Sequence, residues 1–168
     1  NYDLIGHSNF ITNLKNNLNR FSKSTSRVLI YGLSGTGKEI IAKNIHKSSN
    51  RSDKPFIFVD CSLNPITLQN NYFQTIESTD ELILIRQVNG GTLFFDEINN
   101  LSIEIQTKIL RFIEKLDTKN TPSSDIKIIS STSKNIQLEI EKGNFIKDLF
   151  ERLNVMSIKI PLLKERTD

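Results

Sequence analysis

The stretch VLIYGLSGTGKE, residues 28–39, decides the fold expected for the whole chain. Its apolar start, Val28–Tyr31, is typical of a short buried strand, and a helix is predicted from Lys38 to about Ser48. The turn between them matches G-x-x-x-x-G-K, a pattern whose backbone N–H groups, helix N-terminus and lysine surround phosphate oxygens. A chance glycine-rich turn is the alternative, but the flanking strand and helix supply the context that the motif requires. We therefore predict a phosphate-binding loop made of Gly32, Leu33, Ser34, Gly35, Thr36, Gly37, Lys38 and Glu39.

An acidic pair ends a second apolar strand, in the stretch GGTLFFDE at residues 90–97. The strand carries Asp96 to the carboxyl edge of the sheet, beside the phosphate loop, where it can hold Mg²⁺. Glu97 can then polarise an attacking water molecule. The alternative is that Asp96 and Glu97 simply begin an ordinary solvated loop. The phosphate loop elsewhere in the chain favours the catalytic interpretation.

The remaining pattern alternates short apolar strands with amphipathic helices, which predicts an α/β fold with a parallel sheet covered on both faces. The segment from Ser62 to Asn89 is predicted to be irregular with a helical middle, and Asp117–Ser124 to be a loop. Strands are predicted at 56–60, 92–95, 126–130 and 155–160. Helices are predicted after a Ser8 cap, through Ile105–Leu116, and at 136–142 and 145–153.

Length and composition indicate one ordinary globular domain of 168 residues with a net charge of +3. The single cysteine, Cys61, excludes an internal disulfide and favours a reducing compartment. No apolar run approaches the roughly 20 residues that cross a bilayer, and the first residues do not resemble a signal peptide. We therefore expect a cytoplasmic protein without membrane contact, and we interpret residues 1–168 as a domain excised from a longer chain.

The order of the motifs resembles the AAA+ ATPase domain of bacterial enhancer-binding proteins, the sigma-54-dependent activators of the NtrC class. The resemblance covers nearly the whole chain and rests on LIGHS, GLSGTGKEIIAKNIH, FIFVDCS, GGTLFFDEI, IQTKILRFI, IISSTSKN and GNFIKDLFERLNV. It implies an AAA+ P-loop NTPase core in which a five-stranded parallel sheet lies between helices, with the helical lid missing from this chain. Glu39 after the P-loop lysine is usual in this family.

The resemblance also implies cofactors and partners. ATP with Mg²⁺ would bind between subunits of a homo-oligomer, either a dimer or a ring. Receiver, lid and helix-turn-helix domains would lie outside this chain and would bring a histidine kinase and promoter DNA as partners, with RNA polymerase as a further one. The family's GAFTGA loop, which touches the sigma factor, should lie between Cys61 and Gly90, but that span contains nothing like it. In this respect the chain resembles the NtrX branch of nitrogen-response regulators.

Individual positions of the resemblance bear on catalysis. Thr132, with Ser133, occupies the sensor I position, although polar residues that merely finish a strand would look the same. Asp60 replaces a family asparagine, and we expect its negative charge near Glu97 to raise a pKa of the pair and so to weaken Glu97 as a base. Arg152 matches one of two trans-acting arginines, with a structural salt bridge as the alternative, while Ile146 replaces the other. Ile5 and Gly6 match the strip that lines the adenine pocket, or else a simple turn.

Two functions of different classes fit these observations. The first is a ring-forming ATPase of a sigma-54-dependent activator. The second is a nucleotide-binding module of an NtrX-like response regulator, with weak hydrolysis and no remodelling of sigma-54. The absent GAFTGA motif, Ile146 and Asp60 favour the second. A metabolic P-loop kinase is excluded because it has no place for the sensor I and FIKDLFERL segments.

Overall fold

A five-stranded parallel sheet, with strand order β2-β5-β6-β1-β7, organises the computed structural model, which describes residues 9–77, 81–118 and 125–161. The short strands β3 and β4 pair separately as an antiparallel hairpin. The predicted five-stranded parallel sheet is confirmed. The strands are β1 (Val28–Tyr31), β2 (Phe56–Asp60), β3 (Thr75–Ile76), β4 (Glu81–Leu82), β5 (Thr92–Asp96), β6 (Lys127–Thr132) and β7 (Met156–Lys159).

Helices cover both faces of the sheet, as predicted. Leu14 and Ile41, from the first two helices, pack with Ile129 on one face, and Leu68, Ile109 and Leu149 pack in the core of the other. None of the helices within the described ranges is long and apolar enough to cross a bilayer. The helices are α1 (Asn9–Lys23), α2 (Lys38–Lys47), α3 (Pro65–Tyr72), α4 (Ile83–Val88), α5 (Ile103–Thr118), α6 (Ile136–Glu141) and α7 (Lys147–Leu153), with a 3-10 turn at Ile98–Asn100.

The segment between Ser62 and Asn89 differs from its prediction. Its middle is the β3–β4 hairpin and not a helix, and α3 and α4 flank that hairpin. Asn64 caps α3 by accepting a hydrogen bond from the Thr67 N–H at 2.8 Å, a signal that lies at the edge of the segment and not in its middle. Leu68 and Leu84 are both buried, so tertiary packing orders a stretch whose local pattern is weak.

Two predicted helix boundaries also need correction. Helix α7 begins at Lys147 and not at Phe145, because Ile146 has extended backbone angles (φ −79°, ψ 122°) and acts as the N-cap. Helix α5 continues to Thr118, so Asp117 is helical and not the start of a loop. The proposed Ser8 cap and residues 119–124 lie outside the described residues.

The sheet order determines which strand ends meet. Strand β6 lies between β1, which leads into the phosphate loop, and β5, which ends in the acidic pair. All three strands are parallel, so their carboxyl ends share one edge of the sheet. Ligands of open α/β sheets bind in the crevice outside that edge. We therefore expect the ligand site at the carboxyl ends of β1, β5 and β6.

Candidate functional site

The phosphate loop has the backbone conformation that its glycines were predicted to allow. Gly35 and Gly37 have φ angles of 78° and 93°, in the left-handed region that residues with a β-carbon rarely adopt. An added β-carbon at either position would meet no atom within 4 Å, so the requirement for glycine is conformational and not spatial. The Thr36 N–H and hydroxyl both donate to the Leu33 carbonyl, at 3.2 and 2.6 Å. The loop is thus a formed turn with open space beside it, which fits a phosphate ligand.

Lys38 begins α2 and is buried beneath this loop. Its Nζ donates to the Gly32 carbonyl at 2.6 Å and forms an ion pair with Oε1 of Glu97. The predicted phosphate-binding lysine and the predicted general base are therefore in direct contact. A phosphate group that recruits Lys38 must compete with the Glu97 carboxylate for it.

Glu97 is held by several groups at once. Its backbone is left-handed (φ 57°, ψ 60°), a conformation that costs a non-glycine residue about 1 kcal/mol or more. Its Oε2 accepts hydrogen bonds from the Ser133 N–H at 3.1 Å and the Ser133 hydroxyl at 2.6 Å. Burial acts to raise the pKa of Glu97, but the hydrogen bonds from Lys38 and Ser133 outweigh it and hold the pKa below its usual value. A carboxylate with a lowered pKa is a weaker base.

Asp96 lies at the end of β5, and its Oδ1 accepts a hydrogen bond from the Ser131 hydroxyl at 2.9 Å. Burial raises the pKa of Asp96; the Ser131 hydrogen bond opposes this, and the negative charge of Glu97 adds to it. Within the described ranges no three His, Cys, Asp or Glu side chains are grouped as metal ligands. One carboxylate beside a phosphate loop nevertheless suits Mg²⁺, which usually takes one or two carboxylates together with phosphate oxygens and water.

Glu39 is exposed and pairs with Lys43 at 3.0 Å, one helical turn away on α2.

Asp60 was predicted to act on the pKa of Glu97, and this prediction is wrong: the carboxylate that Asp60 affects is Asp96. Asp60 Oδ1 accepts hydrogen bonds from the Ser62 N–H at 3.0 Å and its hydroxyl at 2.6 Å. Its negative charge helps to raise the pKa of Asp96, after burial and Glu97, whereas the pKa of Glu97 is lowered.

The end of β6 and the residue after it supply Thr132 and Ser133, the two residues predicted at the sensor I position, together with Ser131, which was not predicted. The Thr132 hydroxyl lies 3.0 Å from both Asn99 Oδ1 and the Lys134 carbonyl, and not against the acidic pair. Ser133 contacts Glu97, and Ser131, which no motif singled out, contacts both acidic residues. Residues 131 and 133 are two positions apart at the end of β6, and this spacing is the signal that could have placed their side chains on the same side.

Arg152 lies away from the phosphate loop of its own chain. It donates to Asp117 Oδ2 at 2.8 Å, and Arg27, which immediately precedes β1, pairs with the same carboxylate. The phosphate loop follows the other end of β1, so this ion cluster is at the opposite edge of the sheet. Ile146 packs half-buried against the core. Ile5 and Gly6 lie outside the described residues.

A cavity of about 850 Å³ adjoins the phosphate loop at the carboxyl ends of β1, β6 and β7. Its volume is in the range of small-molecule sites. Gly32 and Leu33 from the loop and Ser133 from the end of β6 belong to its wall, so it is continuous with the phosphate site. The other lining residues are Tyr31, Thr132, Lys134, Asn135, Ile136, Gln137, Phe150, Asn154, Ser157, Lys159, Ile160 and Pro161.

Comparisons with known proteins agree with this geometry. An NtrX-like response regulator of Rickettsia typhi is 38% identical over 99% of this chain and 37% of its own length. A uric acid sigma-54-dependent transcriptional regulator of Escherichia coli is 38% identical over 98% of this chain and 30% of its own length. This chain thus spans about a third of the length of the curated relatives that it matches.

A solved structure of NtrX from Brucella abortus in complex with ADP superposes with a TM-score of 0.88 at 32% identity, covering 99% of this chain and 39% of that one. Residues 4–159 match the sigma-54 interaction domain. That match includes the phosphate loop, the acidic pair and the end of β6. The chain has the AAA+ P-loop fold and belongs to the sigma-54 interaction domain family.

Proposed function

We propose that this domain binds ATP with Mg²⁺ and uses the nucleotide as a regulatory ligand, with weak or no hydrolysis. The observation that carries this proposal is Lys38, buried under a preformed phosphate loop yet paired with Glu97. The ADP complex of the similar Brucella protein supports adenine nucleotide as the ligand. The adjoining cavity has room for the base and ribose, and Ile5 and Gly6 remain predicted contacts of the adenine.

The conformation of the phosphate loop and the position of the acidic pair support a role for each group in nucleotide binding. Backbone N–H groups of residues 32–39 would surround the phosphates, with Lys38 as the point charge among them. Asp96 would hold Mg²⁺, which when bound neutralises phosphate charge. Glu39 pairs with Lys43, so a magnesium contact from Glu39 would require that pair to open or a water molecule to intervene.

Weak hydrolysis is the expected consequence of how Glu97 and Ile146 are placed. Glu97 has a lowered pKa and its carboxylate is already hydrogen-bonded, which limits it as a base toward water. Ile146 stands where the family has a trans-acting arginine, and such an arginine is worth about 10³–10⁵ in rate. Thr132 would act on the γ-phosphate only if its hydroxyl left Asn99.

The alternative function is an active ring-forming ATPase of a sigma-54-dependent activator. Arg152 is the observation that favours it, because this arginine lies at the edge of the sheet opposite to its own phosphate loop. A residue so placed serves a neighbouring subunit better than its own. To do so, Arg152 would have to leave Asp117.

In the longer protein we propose a homo-oligomer, a dimer or a ring, acting in the cytoplasm as part of a two-component transcription regulator. A receiver domain would answer to a histidine kinase, and a helix-turn-helix domain would bind promoter DNA, with RNA polymerase as a further partner. The two curated relatives above support regulation of transcription. The span where the GAFTGA loop would lie, which holds α3, the β3–β4 hairpin and α4, contains no such motif, and this absence supports a role without contact to sigma-54.

Lys38→Ala is expected to weaken ATP binding by about 1.5–3 kcal/mol, the worth of a charged hydrogen bond. A fluorescent ATP analogue titrated into the full-length protein measures the loss. Lys47→Ala is the matched control, because Lys47 is exposed at the far end of α2. Equal affinities for Lys38→Ala and Lys47→Ala would refute the phosphate site.

A further inference from the structure

Ser131 occupies a position from which one side chain reaches both acidic residues. The main-chain pairing of β5 with β6 ends at Phe95 and Ser130, one residue before Ser131. Beyond that point the Ser131 hydroxyl continues the connection. It accepts a hydrogen bond from the Glu97 N–H at 3.0 Å and donates one to Asp96 Oδ1 at 2.9 Å.

The Ser131 hydroxyl acts as a donor in one of these bonds and as an acceptor in the other. A serine hydroxyl has one hydrogen to donate, and here the hydrogen goes to the carboxylate while a lone pair receives the amide N–H. Ser131 has no exposed surface, so water cannot replace either partner without a cavity opening. The two bonds therefore link the direction of the Asp96 carboxylate to the backbone of Glu97.

The hydrogen bond from the Glu97 N–H to Ser131 helps to hold the left-handed backbone of Glu97. That conformation must be held by its surroundings, since it is unfavourable for a residue with a β-carbon. The Glu97 N–H bond to Ser131 is one restraint; the Lys38 and Ser133 bonds to the carboxylate, and the Asn100 N–H bond to the Glu97 carbonyl, are further ones. Without Ser131 the Glu97 N–H loses its hydrogen bond next to the proposed cation site.

We propose that Ser131 is a positioning residue that orients the acidic pair for the magnesium-dependent part of nucleotide binding. By binding Oδ1 of Asp96, it leaves Oδ2 to face the cation; within the described part of the chain, Oδ1 is the oxygen that accepts a hydrogen bond. By holding the Glu97 N–H, it keeps Glu97 turned toward Lys38 and Ser133. This inference rests on the nucleotide function proposed above.

The neighbouring serine provides a matched control. Ser130 is equally buried on the same strand, but it faces the opposite side of the sheet, and its hydroxyl has no hydrogen-bond partner among the residues that the structure describes. Ser130→Ala and Ser131→Ala thus delete the same atom from the same strand. A difference between them reports the contacts of the hydroxyl and not the loss of volume.

The test titrates a fluorescent ATP analogue into the full-length protein with Mg²⁺ and again with a chelator. Ser131→Ala is expected to reduce affinity about tenfold with Mg²⁺, the effect of one hydrogen bond to a charged group, and less than about twofold without it. Ser130→Ala should match the wild type in each measurement.

A second variant separates hydrogen bonding from packing. Ser131→Cys leaves no void, because sulfur is larger than oxygen, but its thiol is a weaker donor and acceptor than the hydroxyl, so it should lose affinity as Ser131→Ala does. Thermal unfolding confirms that each variant is folded before titration. Rescue by cysteine, or a loss that is equal with and without Mg²⁺, would overturn the proposal for Ser131. Failure of the wild type to bind the analogue would instead overturn the nucleotide function, and the proposal for Ser131 with it.

Discussion

Replacing Glu97 by glutamine is expected to tighten ATP binding roughly 5- to 30-fold, a gain of about 1–2 kcal/mol. In the free protein Lys38 is neutralised by the Glu97 carboxylate, and both side chains are largely buried. Glutamine keeps the shape and still accepts the Ser133 hydrogen bonds, but it carries no charge. Lys38 is then available to phosphate oxygens without a competitor.

Isothermal titration of ATP into wild type and Glu97→Gln measures this change. Glu141→Gln serves as the control, since Glu141 is exposed on α6 and should bind as the wild type does. The pKa of Glu97 is lowered, so its pair with Lys38 should persist at neutral pH and weaken only in acid, below the usual range of a glutamate. Unchanged or weaker ATP binding by Glu97→Gln would contradict the competition for Lys38.

Gln106→Leu is expected to lower the free energy of unfolding by about 2–4 kcal/mol, because it leaves buried backbone groups without a hydrogen-bond partner. The Gln106 amide is fully buried on α5. Its Nε2 donates to the Leu101 and Asn144 carbonyls at 3.0 and 2.9 Å. Its Oε1 accepts the Ile146 N–H at 2.8 Å, at the start of α7. Leucine fills the volume but satisfies none of these groups.

Urea unfolding followed by circular dichroism measures the change. Gln87→Leu is the matched control because Gln87 is exposed on α4, and it should shift stability by less than about 0.5 kcal/mol. A comparable stability of the two variants would mean that the Gln106 bonds contribute little. The same contact shows why α7 starts at Lys147: Gln106 holds the Ile146 N–H outside the helix.

The phosphate loop could be predicted from sequence because all of its determinants lie within one short stretch of the chain. Glycines that must take left-handed angles, a lysine at the first helical position and an apolar strand before them lie within residues 28–39. The parallel sheet followed from the alternation of short strands and helices. The acidic pair was recognisable for the same reason, as carboxylates that end a buried strand.

What could not be predicted depends on neighbours that are distant in the sequence. Ser131 is near Asp96 only because β6 lies beside β5, an order that no local pattern specifies. Asp60 was expected to act on Glu97, but its carboxylate instead accepts a hydrogen bond from the Ser62 hydroxyl, two residues further along the chain. Glu97 is still limited as a base, because of Lys38 and Ser133. The β3–β4 hairpin escaped prediction because two-residue strands carry almost no periodicity.

Phosphate release from the full-length protein, measured on a sample whose saturable ATP binding has been verified, tests the central claim most directly. Wild type and Glu97→Gln should both release phosphate near background while ATP remains bound. Ile146→Arg restores the missing arginine and should raise the rate above that of the wild type. Robust phosphate release by the wild type, abolished in Glu97→Gln, would contradict the claim that this domain binds ATP with little or no hydrolysis.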